Sequence, residues 1–240
     1  MTPTRGTLLR NHGVTAPAGF KASAVNGSVA VLVNEGPDLG AAGVFTDDDP
    51  GGAALWTRQV LGTARLRAVL VHPASPGTSL SEEFGDTHRA AEQVADTLSG
   101  WGTSTGAGEV AVCTIGGCTP PALLDVVADA VHEIGGGLGG GSEAARLLAG
   151  QHGNTRQAAL QHADGWTVGA MATDDGTLGV LSTDAVADAA TLLSALNGAE
   201  PASSTVLLLA SGASETPCSP AELGASVSSL LADLRAQREY

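Results

Sequence analysis

"GWTVGAMATDDGTLGVLSTDA", residues 165–185, places two apolar runs on either side of the polar stretch Thr173–Thr177. The runs are short, with Trp, Val, Ala and Met in the first and Leu and Val in the second, and Asp and Gly break them, so the segment reads as a strand, a break and a second strand. Downstream, "ADAATLLSALNG" (187–198) is a helix ended by an Asn-Gly turn, and "SSTVLLLASGAS" (203–214) is a buried strand. A Ser-Pro-x-Glu cap at Ser219 then opens a final helix that runs toward Tyr240.

Upstream, the same alternation holds. "SVAVLVNEGP" (28–37), "AAGVFT" (41–46), "RAVLVHPAS" (67–75) and "EVAVCTIGG" (109–117) are apolar runs closed by turn residues, hence strands. "GDTHRAAEQVADTLSGWG" (85–102) carries a helical stripe of Ala90, Ala91, Val94, Ala95 and Leu98. "PPALLDVVADAVHEIGGG" (120–137) is a helix opened by prolines and closed by glycines. "GSEAARLLAGQHG" (141–153) is a further helix with Ser142 as N-cap. The expected class is α/β (α+β), without repeats and without a linker that would separate independent domains.

Composition narrows the function classes. Aromatic residues make up 3% of the chain, so the core is built from Ala, Val and Leu. A formal net charge of −14 with Lys21 as the single lysine argues against nucleic-acid or anionic-membrane partners, because no basic stripe exists to meet phosphates. No apolar run reaches membrane-spanning length and "MTPTRGTLLRNHG" has no signal-peptide core, so the expectation is a cytoplasmic protein. Cys113, Cys118 and Cys218 match neither a disulfide framework nor a zinc pair. The six histidines are scattered, with no i, i+4 pair for a metal, and the acids of "FTDDDPGG" (45–52) read as a turn. "GTSTGAG" (102–108) and "GGGLGGG" (135–141) lack the Gly-Lys-Ser/Thr and dinucleotide spacings and read as loops. No cofactor and no metal are expected.

Several segments, in order, resemble the ornithine acetyltransferase (glutamate N-acetyltransferase) family of arginine biosynthesis. They are "GVTAPAGFKA" (13–22), "GPDLGAAGVFT" (36–46), "FGDTHRAAEQVADTL" (84–98), "GAGEVAVCTIGG" (106–117), "GWTVGAMA" (165–172), "LSTDAVADAATL" (181–192) and "TVLLLASGAS" (205–214). The resemblance implies a layered αββα-type sandwich, as in self-cleaving N-terminal-threonine acyltransferases. Residues 1–172 would correspond to the family's N-terminal chain and 173–240 to part of its C-terminal chain, packed as one unit, with the family's C-terminal part missing. It also implies self-cleavage before a threonine whose freed amine, titrating about two units below a lysine, serves as base. That threonine carries an acetyl group from N-acetylornithine to glutamate, with a Thr-Gly segment holding the oxyanion.

Position by position, the chemistry resembles a damaged version of that site. The run before the scissile bond is mostly absent, and "TDDGTLGVLSTDA" follows "GWTVGAMA" almost at once. Counting back from Thr183-Asp184-Ala185 without a gap puts Gly176 at the nucleophile position; a one-residue deletion puts Thr177 there. The oxyanion segment reads Thr114-Ile115-Gly116, which leaves Gly116 as the oxyanion residue and loses a side-chain donor. "HPASPGTSL" (72–80) replaces the asparagine-rich substrate loop, and "GQHGNTR" (150–156) leaves Arg156 as the substrate-binding cation. The favoured expectation is a protein that is silent in catalysis and acts as a ligand-binding or interaction module. It would hold an amino-acid-like small molecule, form a homo-oligomer or join a protein partner. The alternative is an active acyltransferase working through Thr177 after cleavage. A third possibility uses Cys113 or Cys118 as nucleophile in an uncut chain.

Overall fold

The computed structural model describes residues 6–10, 12–25, 27–46, 51–74, 77–116, 122–135, 156–200 and 203–237. Ten strands form two sheets. The larger has the order β1 (Gly6–Arg10), β7 (Arg156–His162), β8 (Thr167–Ala172), β9 (Leu178–Thr183), β10 (Thr205–Ala210) and β4 (Ala41–Phe45). The smaller has the order β2 (Phe20–Val25), β3 (Val29–Asn34), β5 (Ala68–Pro73) and β6 (Val110–Ile115). Neighbours are antiparallel except β5–β6 and β9–β10. A parallel pair needs a crossover, and helices α2 (Leu80–Ser99) and α4 (Ala189–Asn197) supply one each.

Side-chain alternation builds the layers. In β10, Leu207 and Leu209 join the core between the sheets, while Val206, Leu208 and Ala210 join the core beneath the helices. Leu178 and Val180 of β9 face the first core and Leu181 the second. Helix α4 and the last helix, α5 (Pro220–Ala236), pack on the large sheet. Helices α1 (Gly52–Val60), α2 and α3 (Leu123–Gly135) pack on the small one. The result is the expected αββα sandwich. The proposed division at 172/173 falls in the turn between β8 and β9, adjacent strands of one sheet.

Helix α1 has a second task. Strand β6 ends the small sheet, and its free edge would expose unpaired backbone groups. The Thr57 hydroxyl donates to the Val112 carbonyl at 2.6 Å and accepts from the Val112 N–H at 2.9 Å. The Trp56 indole donates to the Val110 carbonyl at 2.9 Å. The edge is therefore closed by side chains of α1.

Several elements go beyond the sequence reading. It did not foresee β1, β2, α1 or β7. Helix α2 begins at Leu80, ahead of the expected residue 85, because Ser79 and Glu82 form a reciprocal capping box. The helix expected over 141–153 lies outside the described residues, as do the acids 47–49 and most of "GGGLGGG".

Replacing Leu208, fully buried under α4 and α5, with Ala is expected to cost about 2–5 kcal/mol of stability. Urea denaturation followed by far-UV circular dichroism measures this, and a loss below about 1 kcal/mol would contradict the assigned burial.

Candidate active site

Strands β8 and β9 are joined by Thr173–Thr177, and the turn closes tightly. The Thr173 N–H donates to the Leu178 carbonyl at 2.9 Å, and the Leu178 N–H donates to the Thr173 hydroxyl at 2.9 Å. Gly176 adopts the left-handed conformation, at φ +78°, which a residue without Cβ takes at no steric cost. Its carbonyl accepts from the Ser204 N–H at 2.8 Å, and the Thr177 carbonyl accepts from Thr205 at 3.0 Å. The Gly176–Thr177 peptide thus belongs to the start of the β9–β10 ladder.

The Asp175 carboxylate accepts from the Thr177 N–H at 2.9 Å and from the Thr177 hydroxyl. Partial burial works to raise the Asp175 pKa, but hydrogen bonds from Thr177 and Thr173 and the charge of Arg156 outweigh it. The carboxylate is held below its ordinary range.

Thr177 and Leu178 line a cavity of about 110 Å³ between the ends of the sheets. Its other walls include Cys113 and Thr114 from β6, Thr57 and Arg58 from α1, and Thr205 from β10. The structure therefore brings the nucleophile candidate and the first residue of the oxyanion segment to one cavity. Ile115 is half-buried next to it in the strand, and Gly116 is exposed and is not among the described lining residues.

Arg156 goes elsewhere. It opens β7 opposite Ala172 and is only 1% exposed. Its Nε donates to the Asp174 carboxylate at 3.1 Å, and Nη1 reaches the Leu234 carbonyl of α5 at 3.5 Å. It braces the β8–β9 turn against the last helix and lines no described cavity. A ligand carboxylate would meet a guanidinium already engaged by Asp174.

The two described thiols are equally unsuited to attack. Burial pushes Cys113 up to about 12, and burial with the Glu222 charge pushes Cys218 up to about 11. Cys118 lies outside the described residues. Among the described residues, no group of three His, Cys, Asp or Glu side chains is arranged to hold a metal ion. No described helix is long and apolar enough to cross a membrane.

Sequence reasoning missed His72 as a site residue. It is 5% exposed, stands beside Thr114 in the β5–β6 register, and lines a second cavity of about 420 Å³. Its Nδ1 donates to the Pro73 carbonyl at 2.8 Å, an acceptor that cannot donate back, which leaves the lone pair on Nε2. Burial lowers its pKa, against opposing contributions from the Pro73 bond and from Glu83 and Asp86. The one sign in the sequence is that His72 opens "HPASPGTSL", the stretch aligned with the substrate loop.

No family model matches the chain. The arginine biosynthesis bifunctional protein ArgJ of Mycobacterium tuberculosis strain H37Rv is 45% identical, over 99% of this chain and 68% of the relative. The chain belongs to the ArgJ family. ArgJ of Mycolicibacterium paratuberculosis is 41% identical over 98% of this chain and 67% of its own length. A crystal structure of M. tuberculosis ornithine acetyltransferase complexed with ornithine superposes with a TM-score of 0.64 at 46% identity, over 70% of this chain and 94% of that one. ArgJ of Bacillus halodurans matches at a TM-score of 0.51 and 16% identity, over 65% of this chain and 86% of that one, a likeness of fold. This ArgJ-family chain thus spans about two thirds of the length of its M. tuberculosis relative.

Two outcomes follow from the burial of these groups. Native iodoacetamide labelling at pH 8 is expected to leave Cys113 unmodified in peptide mapping, because only about one thiol in ten thousand is thiolate there. His72 is kept neutral by the fold, so its contribution to stability is intact above about pH 6.5 and is lost as pH falls below that value, where the unfolded chain takes up the proton. His72→Gln should flatten denaturant stability between pH 7 and pH 5 relative to the parent.

Proposed function

We propose that this ArgJ-family chain remains uncut and silent in acetyl transfer, and works as a module that binds an amino-acid-like small molecule or a protein partner. The observation that carries this reading is the state of Thr177. Asp175 holds both its N–H and its hydroxyl, and the Gly176 and Thr177 carbonyls are taken up by the start of β10, so the Gly176–Thr177 peptide sits in a fully paired turn. Release of that threonine normally needs a strained scissile bond, whereas here Gly176 takes its left-handed conformation freely.

Two further features support it. The cavity at Thr177 holds about 110 Å³, against the roughly 300 Å³ or more usual for small-molecule sites. In the oxyanion segment Ile115 offers no side-chain donor, and losing one such donor typically costs about two to three orders of magnitude in rate. The M. tuberculosis relative was solved with ornithine, which favours a small amino acid as ligand class.

A second reading has its own observation. Thr177 and Thr114 face one cavity, the Thr177 hydroxyl donates to a carboxylate, and the Gly176 carbonyl is polarised by the Ser204 N–H. Attack of Thr177 Oγ on the Gly176 carbonyl carbon would break the C–N bond and pass the hydroxyl proton to Asp175 and then to the departing nitrogen. Water would hydrolyse the resulting ester, leaving a Gly176 carboxylate and a free Thr177 amine ready for acyl transfer.

Intact mass spectrometry with an acetyl-exchange assay between N-acetylornithine and glutamate tests both. The first reading expects one mass near 23.7 kDa, no exchange, and an identical result for Thr177→Ala. Two fragments meeting at Gly176–Thr177, with exchange abolished in Thr177→Ala, would establish the second.

A further inference from the structure

The hairpin that joins β7 to β8 is built around one imidazole. The His162 N–H donates to the Trp166 carbonyl at 2.7 Å, and the Gly165 N–H donates to the His162 carbonyl at 3.1 Å, which closes the tip. The His162 side chain is 6% exposed. Its ring lies almost flat on the indole of Trp166, with centroids 4.3 Å apart and planes 12° from parallel. Trp166 is itself part of the core under α4 and α5, so the stack fixes where the imidazole sits.

Two contacts meet at a single atom of that ring. The Asp164 main-chain N–H donates to His162 Nδ1 at 3.3 Å, which requires a lone pair there. The Asp164 Oδ2 lies 3.3 Å from the same Nδ1, a contact that is favourable only when this nitrogen carries a proton. The two exclude each other: a neutral ring accepts from the amide, and a charged ring donates to the carboxylate. The charged ring also gains from the indole face beneath it. Other charged groups on the surrounding elements have partners of their own. On β1, Gly6 stands opposite His162, and β8 carries no titratable side chain. On α5, which packs on β7, Glu222, Asp233 and Arg235 are bonded to Ser219, Gln237 and Glu200. The Asp184 carboxylate is taken by the N–H groups of Thr167 and Ala18.

We propose that the β7–β8 hairpin is a proton-operated latch. With His162 neutral, the main chain of Asp164 is bonded to the ring and its carboxylate is left to water. With His162 charged, the carboxylate takes that place and the amide is released. Asp164 can make the exchange because its side chain is 62% exposed, whereas His162 and Trp166 are held by the core. Thr167, next along the chain, is tied by its N–H to Asp184 and by its carbonyl to the Thr183 hydroxyl, which confines the rearrangement to the tip. The latch lies at the end of β8 away from Thr173–Thr177, so it holds whether or not the chain is ever cut.

The test is nitrogen-15 NMR of the full chain between about pH 8 and pH 5, the window in which histidine changes charge. At the upper end the His162 ring is expected as the Nε2–H tautomer, with Nδ1 unprotonated. On acidification the Asp164 amide resonance should move with the same midpoint as the ring, while those of Thr167 and Ala18 stay in place. Asp164→Asn keeps the amide and removes the charge at an exposed position, where the fold does not depend on it. It should lower the midpoint by about half a pH unit, the size of a part-exposed ion pair. An Nδ1–H tautomer at the upper end, an Asp164 amide that does not follow the ring, or an unchanged midpoint in Asp164→Asn would each overturn the latch.

Discussion

Both faces of the β8–β9–β10 ladder are buried, and this single constraint organises the molecule. A strand covered on one side needs a polar alternate face; here Leu207 and Leu208, successive residues, are each fully buried in different cores. The ladder cannot slip by one residue without exchanging its contents between the inter-sheet core and the core under α4 and α5. The register fixes the β8–β9 turn, and the turn fixes where Thr177 meets β6. The candidate site is thus a consequence of packing rather than of local sequence around the threonine.

Side-chain hydrogen bonds close the frame where strands leave the sheets. The buried Asp184 carboxylate accepts from Thr167 N–H at 2.6 Å and from Ala18 N–H at 3.0 Å. Ser182 and Ser211 donate to the carbonyls of Val14 and Ala18, and Asn34 donates to those of Asp38 and Ala210. Val14, Ala18 and Asp38 lie on loops that cross between the sheets and Thr167 and Ala210 at strand ends, where an unpaired main-chain group would be expensive. Many of these residues belong to the segments that carry the family resemblance, "GVTAPAGFKA", "LSTDAVADAATL" and "TVLLLASGAS". Those segments therefore contain groups that hold the two sheets together.

This explains what the sequence made legible. Strands such as Val29–Asn34 and Thr205–Ala210 are continuous apolar runs, and α5 announces itself through Ser219 and Glu222. Strand β7 does not, because "RQAALQH" mixes Arg, Gln and His with small residues, and its burial comes from neighbours on both sides. Helix α1 was hidden for a related reason: it is nine residues long, and its Trp56 and Thr57 serve a strand edge that only the fold creates. Among site residues, Thr177 and Thr114 align with motif positions, whereas His72 is legible only as the first residue of the segment that replaces the substrate loop. Its place depends on β5 pairing with β6 and on α2 bringing Glu83 and Asp86 toward it.

Arg156 shows how a cation that the sequence offers for a ligand can be engaged within the fold. An arginine at this point suggests a grip on a carboxylate, and the side chain does hold one, but it is Asp174 of the same chain. Because the guanidinium is almost fully buried, removing Asp174 would leave it a charge with little water to solvate it, so the pair is bound to the fold itself. The same guanidinium helps keep Asp175 ionised, and Asp175 holds both the N–H and the hydroxyl of Thr177. Arg156, Asp174 and Asp175 therefore form one network around the β8–β9 turn, and the electrostatics next to Thr177 are tied to the continuity of the strand pair.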